Sequence, residues 1–336
     1  MTGLERIRAV FDGKKPDKVP VVPIIHAGLA SIFGISLGQF FTDGRVMADT
    51  LIKGYRTFGY DGVQLSLGVT AEVEAFGARV DQPENAAPLL REHILNDYAA
   101  LDKLKSIDPT NRGRLPLFRD ALKRVVAEIG SEALVIVTIR GPLLMAAQLR
   151  GVETVLMDTV DVPDKLHALL DFSTDVSLKM GLSFLQSGAQ ALMIGEATCS
   201  PSFISPNTYR EFVLARHKKL ISGLKSAGWR TVGLHICGNL MPILQDVLTT
   251  GANLLDIDYQ VSAKDALRVN KGRAVLRGNL NPSSVFAFGT EDVIKAETTK
   301  LKSEVAGKGS WIFSSGCDIS PGTPRANIEL AMKYLR

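Results

Sequence analysis

Short apolar runs, several of them β-branched, recur along the chain, and longer stretches with helix-like patterning separate them. The runs are VPVVPII (19–25), DGVQLS (61–66), LVIVTI (134–139), ALMIGE (191–196), TVGLHI (231–236), LLDIDY (254–259), AVLRGN (274–279) and WIFSSG (311–316). Each has the length of a strand. The intervening segments read as helices; examples are RVMADTLIKGYRTFG, VLMDTVDVPDKLHALLDFSTDVSLKMGLSFLQSG and SPNTYREFVLARHKKLISGLKSAG. Gly195, Gly228 and Gly251 punctuate element ends. Eight strands alternating with helices predict an α/β fold, a closed (β/α)8 TIM barrel forming one domain over 1–336. The first sixty residues are expected to add an N-terminal helical extension capping one end, with the first strand running into a lid-like segment. No GxGxxG loop follows the first run, which counts against a doubly wound open sheet.

Polar residues fall where such a barrel places its chemistry, at the C-terminal strand ends. His26 follows the first run and Arg140 the third, and Glu196 closes the fourth. His235 and Cys237 close the fifth, Asp256 and Asp258 the sixth, Asn279 the seventh, and Cys317 follows the eighth. On a strand His235 and Cys237 share parity, so both side chains leave one face. Alone, a His-x-Cys on an apolar strand reads more often as a core histidine beside an inert thiol. Cys317, 80 residues beyond Cys237 in the glycine- and proline-rich SSGCDISPGTP, adds a second sulfur at the same end of the barrel. Two sulfurs and one nitrogen suit zinc, and three protein ligands leave the exchangeable position of a catalytic site. Cys199 reads as a buried thiol or pocket wall, and His93, His167 and His217 as surface residues.

Composition leaves that picture intact. The 336 residues are 46% hydrophobic and 22% charged, enough to fill one large barrel. A net charge of +4, with no run of like charges, excludes a nucleic-acid binder as the expected class. The start, MTGLERIRAVFDGKKPDKVP, is polar and lacks the apolar stretch of a signal peptide. No apolar stretch reaches membrane-spanning length, so the expected location is cytoplasmic, away from membranes. Three cysteines in such a chain are expected as reduced thiols, free to serve as ligands.

A sulfur-rich donor set directs the chemistry. Two thiolates and a neutral imidazole leave Zn2+ formally neutral, so a coordinated substrate thiol is deprotonated yet stays electron-rich. Such a thiolate attacks an activated methyl group. Zinc-hydroxide hydrolysis more often uses histidines and carboxylates.

The segments ERIRAVFDGKKPDKVPVVP, GPLLMAAQLRG (141–151), ISPNTYREFV (204–213), HICGN (235–239), LRGNLNP (276–282) and SSGCDISPGTP (314–324) resemble the uroporphyrinogen decarboxylase superfamily from end to end, which implies a TIM barrel. The decarboxylases carry an arginine-rich RQAGR motif that holds propionate groups. Here IIHAGLAS puts Ile25 and Leu29 where those arginines fall, and Cys317 replaces a loop histidine. The His-x-Cys and distant Cys instead resemble the zinc motif of the methylcobamide:coenzyme M methyltransferases, a corrinoid-dependent branch of one-carbon metabolism. That resemblance implies His235, Cys237 and Cys317 as catalytic zinc ligands. It implies as donor a methylcobamide (corrinoid) carried by a partner protein. It implies as acceptor a small-molecule thiol such as coenzyme M, with cobalt leaving as Co(I). Cobalamin-independent methionine synthase is similar too, and implies Asp258, with Asp256 second, as an acidic fourth ligand. A coenzyme M sulfonate implies donors at the mouth: Arg140 and Arg277 as cations, Asn239 and Asn279 as neutral groups. Glu196 is a further carboxylate of the substrate site, and each acidic residue is equally suited to orient His235 from behind.

Other readings stay open from sequence. One is the substrate-side corrinoid methyltransferase that demethylates a methoxy or methylamine compound, and another has tetrahydrofolate as the acceptor. Decarboxylation of uroporphyrinogen and a non-enzymatic tetrapyrrole-binding barrel rank lower. Homo-oligomerisation is left open.

Overall fold

The structure, a computed structural model, describes residues 1–307 and 310–336. Seven of the eight runs form one parallel sheet in chain order. They are β1 (Gly62–Leu65), β2 (Leu134–Arg140), β3 (Ala191–Gly195), β4 (Thr231–His235), β5 (Leu254–Ile257), β6 (Val275–Leu280) and β7 (Trp311–Ser315). Every residue of β1, β2, β3, β5 and β7 is buried, as a sheet covered on both faces requires.

The first run is the exception. Pro20 and Pro23 bring no N–H to a ladder, and residues 19–25 form no regular strand. The segment still fills the gap between β7 and β1. Val22 N donates to Phe313 O at 2.8 Å, Phe313 N to Pro20 O at 2.8 Å, and Asp61 N to Val21 O at 2.7 Å. Its single bridge, Val21 to Phe313, closes the barrel with an irregular eighth stave.

Helix α1 (Gly3–Phe11) explains which end is open. Thr2 and Glu5 form a capping box at its start. Its inner face carries Leu4, Ile7 and Val10 into a cluster with Val22, Leu134, Ile136, Ala191, Met193, Leu254, Val275 and Ile312. Most of these stand at or near the first residues of their strands, so α1 plugs the N-terminal end of the barrel. The C-terminal strand ends are left facing outward, where the polar residues cluster.

Between β2 and β3 lie α2 (Pro142–Arg150) and two further helices. The segment expected as one long helix over 155–188 breaks into Val152–Asp161 and Pro163–Ser183, with Pro163 starting the second. Before β4 a π-helical turn, Tyr209–Val213, leads into α3 (Leu214–Ser226). Among the described residues no helix is long and apolar enough to cross a membrane.

Candidate metal centre

Strand register sets the site. Arg140 pairs with Gly195 and Gly195 with His235, so the ends of β2, β3 and β4 lie at one level. His235 is the last residue of β4, and Cys237 follows two positions on. Gly238, at φ 82°, turns the chain away and donates its N–H to Asp258 Oδ2 at 2.9 Å. Cys317 stands two residues past the end of β7. Gly316 before it approaches so closely that a Cβ there would meet Tyr259 N at 2.4 Å.

These turns bring three donor atoms together. His235 Nε2 lies 3.2 Å from Cys237 Sγ and 3.8 Å from Cys317 Sγ, and the two sulfurs are 3.8 Å apart. A tetrahedral zinc with bonds of about 2.3 Å to sulfur and about 2.0 Å to nitrogen needs an S–S edge of about 3.8 Å and S–N edges of about 3.5 Å. The triangle present is that size, so its spacing and chemistry fit the ion.

The charge around the triangle is arranged from behind. His235 Nδ1 donates to Asp256 Oδ2 at 2.9 Å, which turns Nε2 toward the sulfurs. Asp256 in turn accepts from Arg277 Nε at 2.7 Å and Nη2 at 2.6 Å, and Arg277 Nη2 also donates to Gln64. Burial alone would raise the Asp256 pKa, but Arg277 and His235 outweigh it and hold the carboxyl below its usual range. Burial would likewise lower His235, yet the Cys237 charge and the Asp256 hydrogen bond hold it well above an ordinary histidine. The two thiols share one proton. The Cys317 hydrogen bond and the adjacent imidazolium bring Cys237 down to about 4, and Cys317 as donor is pushed up to about 12.

A cavity of about 220 Å³ opens beside the triangle, and Arg140, Glu196, His26, Ser66 and Asp318 help line it. Arg140 Nη2 donates to Ser66 Oγ at 3.1 Å, and its Nε has no hydrogen-bond partner. Glu196 is fully buried, and its oxygens accept from Leu143 N and Leu144 N at the start of α2. Cys199 Sγ and His217 Nε2, each 3.4 Å away, complete its partners.

The structure gathers some of the sequence-designated residues and leaves others apart. His235, Cys237 and Cys317 meet, and Arg140 and Glu196 share their cavity. Asp258 stands outside the donor triangle, with one oxygen held by Gly238 N and the other by Gln260 N. Arg277 is fully buried on Asp256 and does not line the cavity. Asn239 is exposed and its side chain accepts from Met241 N. Asn279 donates to the Asp258 and Val261 carbonyls and lines a different cavity. His217, expected at the surface, is wholly buried between Tyr209 and Glu196 because α3 turns that face inward. Asp318, Ser66 and Gln64 were not singled out from sequence. The signal for the last two was present: polar residues two apart in an apolar strand point the same way into the barrel.

A (β/α)8 barrel with a histidine and two cysteines meeting at its mouth is the class that fold and site define. The chain belongs to the uroporphyrinogen decarboxylase (URO-D) family, whose model matches residues 2–336. It is 30% identical to the methylcobamide:CoM methyltransferase MtbA of Methanosarcina acetivorans, over 98% of this chain and 96% of that one. It is 29% identical to the methylcobamide:CoM methyltransferase MtaA of Methanosarcina barkeri, over 96% and 94%. A solved methyltransferase from Methanosarcina mazei superposes with a TM-score of 0.90 at 27% identity, covering 100% of this chain and 98% of that one.

Proposed function

We propose that this protein transfers a methyl group from a methylated corrinoid protein to a small thiol, coenzyme M or a close analogue, with zinc held by His235, Cys237 and Cys317. The observation that carries the reading is the donor triangle. Its two sulfurs and one nitrogen, and the edges between them, suit zinc, and it faces the cavity. Zinc, when bound, keeps the acceptor sulfur as thiolate near neutral pH. The chain's own residues do the rest. Asp256 fixes the His235 ring, and Arg140 offers the cavity a guanidinium for the acceptor's anionic end. Sulfur gains the S–C bond and cobalt keeps the Co–C electron pair, leaving as Co(I).

Scale favours this over the folate and decarboxylation readings. A cavity of about 220 Å³ takes a short thiol but neither a corrin ring nor a folate. The corrinoid therefore stays on its carrier protein, which presents the methyl group at the barrel mouth. Decarboxylation would need cations for several propionates. Ile25 and Leu29 are instead buried in the core, and Arg140 is the one lysine or arginine among the described residues lining the cavity.

Elemental analysis of the reduced protein beside Cys237→Ala tests the reading, together with methyl transfer to coenzyme M from a methylated corrinoid protein. Zinc at about one per chain, lost with transfer in the variant, is the expected result. Wild type that takes up no zinc under reducing conditions would overturn it.

A further inference from the structure

The donor triangle can hold the acceptor's sulfur, but choosing one thiol over another falls to the rest of the cavity wall. Four polar residues of that wall come from neighbouring staves: Gln64 in β1, Ser66 just after it, and Thr138 and Arg140 in β2. Gln64 is committed, since its Nε2 donates to Thr138 Oγ1 at 3.0 Å and its Oε1 accepts from Arg277. Ser66 is not. Its Oγ accepts from Arg140 Nη2 at 3.1 Å and from Gly68 N at 3.2 Å. A hydroxyl has two lone pairs and one hydrogen. Two N–H donors fill the lone pairs, so the hydrogen of this buried side chain is left for a further acceptor.

Arg140 beside it is in the same state. It is buried, and its Nε has no hydrogen-bond partner among the described residues. Glu72 Oε1, which accepts the Arg140 backbone N–H at 3.1 Å, lies 3.7 Å from Nε, beyond hydrogen-bond range. Gly195 leaves the guanidinium its room, because a Cβ there would stand 3.1 Å from Nη1. Buried donors without an acceptor are uncommon and costly unless a ligand supplies one. Reach is set by register. Arg140, Gly195 and His235 are successive partners across β2, β3 and β4. Strands about 4.8 Å apart put the Arg140 and His235 backbones about 10 Å apart, with both side chains in the wall of one cavity. The gap left between guanidinium and donor triangle suits a linker of a few atoms.

We propose that Ser66 determines acceptor specificity, its hydroxyl donating together with the Arg140 guanidinium to an oxyanion, such as a sulfonate, at the far end of the thiol. This rests on the thiol-acceptor reading and adds a residue to it. It also adds a requirement, a negatively charged oxygen a short linker away from the sulfur. Glu196 and Asp318, the carboxylates of the wall, only accept and cannot hold such a group.

Calorimetric titration of the zinc-loaded protein with coenzyme M and with 2-mercaptoethanol, an uncharged thiol of the same two-carbon chain, tests this. The readout is the ratio of the two dissociation constants, taken on protein of measured zinc content. Wild type is expected to prefer coenzyme M by at least about tenfold. Ser66→Ala is expected to cut that preference about tenfold, the scale of one hydrogen bond to a charged group. Ser66 also holds Arg140, so the same substitution in an Arg140→Met background separates the two roles. A further fall in preference there supports direct donation by Ser66. No further fall shows that Ser66 acts only through Arg140, and overturns the inference. Wild type without a preference, or a ratio that Ser66→Ala leaves unchanged, overturns this inference alone. Protein that holds no zinc, or that with zinc binds neither thiol, overturns the reading beneath it, and this inference with it.

Discussion

The residue that organises the centre is Asp256, because it serves two neighbours at once. It orients the His235 imidazole through Nδ1 and neutralises the buried Arg277, whose one ion-pair partner among the described residues it is. Asp256→Asn leaves that guanidinium uncompensated, and losing one partner of a buried pair costs about 3–5 kcal/mol. It also loosens the histidine, and losing the hydrogen bond behind a metal ligand lowers metal affinity by about 10–100-fold. Urea unfolding of the metal-free variant and a chelator competition on the folded one measure the two effects separately. The same residues set the pH dependence of metal uptake. His235, held above the ordinary histidine value, and Cys317, near 12, both carry protons at neutral pH that a metal must displace. Cys237, near 4, has none to give until the solution approaches that pH. Uptake therefore releases one proton from each of two groups, and zinc affinity should fall about 100-fold per pH unit on acidification through the neutral range. A slope near zero across pH 6–8 would show that the triangle does not bind the ion.

At the scale of elements, the apolar runs located seven strands to within a residue or two, because a strand buried on both faces has little freedom in composition. The eighth run carried the same apolar signal, but its prolines removed the N–H groups a strand needs, and it became an irregular stave. The donor triangle was legible for a related reason: parity on β4 and a loop after β7 fix positions that the barrel then brings together. Arg277, Asn279 and Asp258 were harder. Asp258 and Asn279 sit at strand ends and Arg277 lies within β6, but which neighbour each faces depends on register and local turns. Arg277 pairs with Asp256 across β5 and β6, and Asn279 turns out to the Val261 carbonyl. The barrel floor gives an independent test of the architecture. Ile7, 1% exposed, projects from α1 into the cluster that closes the strand starts. Ile7→Ala should cost about 2–5 kcal/mol in urea unfolding. It should leave the zinc content of the folded protein unchanged, since floor and mouth are opposite ends of the barrel. Loss of zinc from the folded variant would show that the two ends are coupled.

For the whole molecule, the barrel is closed at one end by its own N-terminal helix and narrow at the other, which divides recognition between two partners of different size. The cavity at the mouth is smaller than the roughly 300–1,000 Å³ of drug-sized sites, so it selects the acceptor, while the donor is selected by the surface around it. Acceptor choice should then follow cavity volume. Leu144, 4% exposed at the start of α2, lines the cavity beside Glu196 and Arg140. Leu144→Ala removes a branched side chain from the wall but keeps the backbone N–H that Glu196 accepts. Wild type should prefer coenzyme M over the thiol sulfonate one methylene longer, and should not use tetrahydrofolate. In the variant the ratio of kcat/KM for the two thiols should shift toward the longer one by about tenfold or more, the scale of one methylene in a tight apolar pocket. Because the readout is a ratio measured on one preparation, loss of folded protein affects both thiols equally. An unchanged ratio would mean that the acceptor lies outside this cavity, and would return a larger methyl acceptor to consideration.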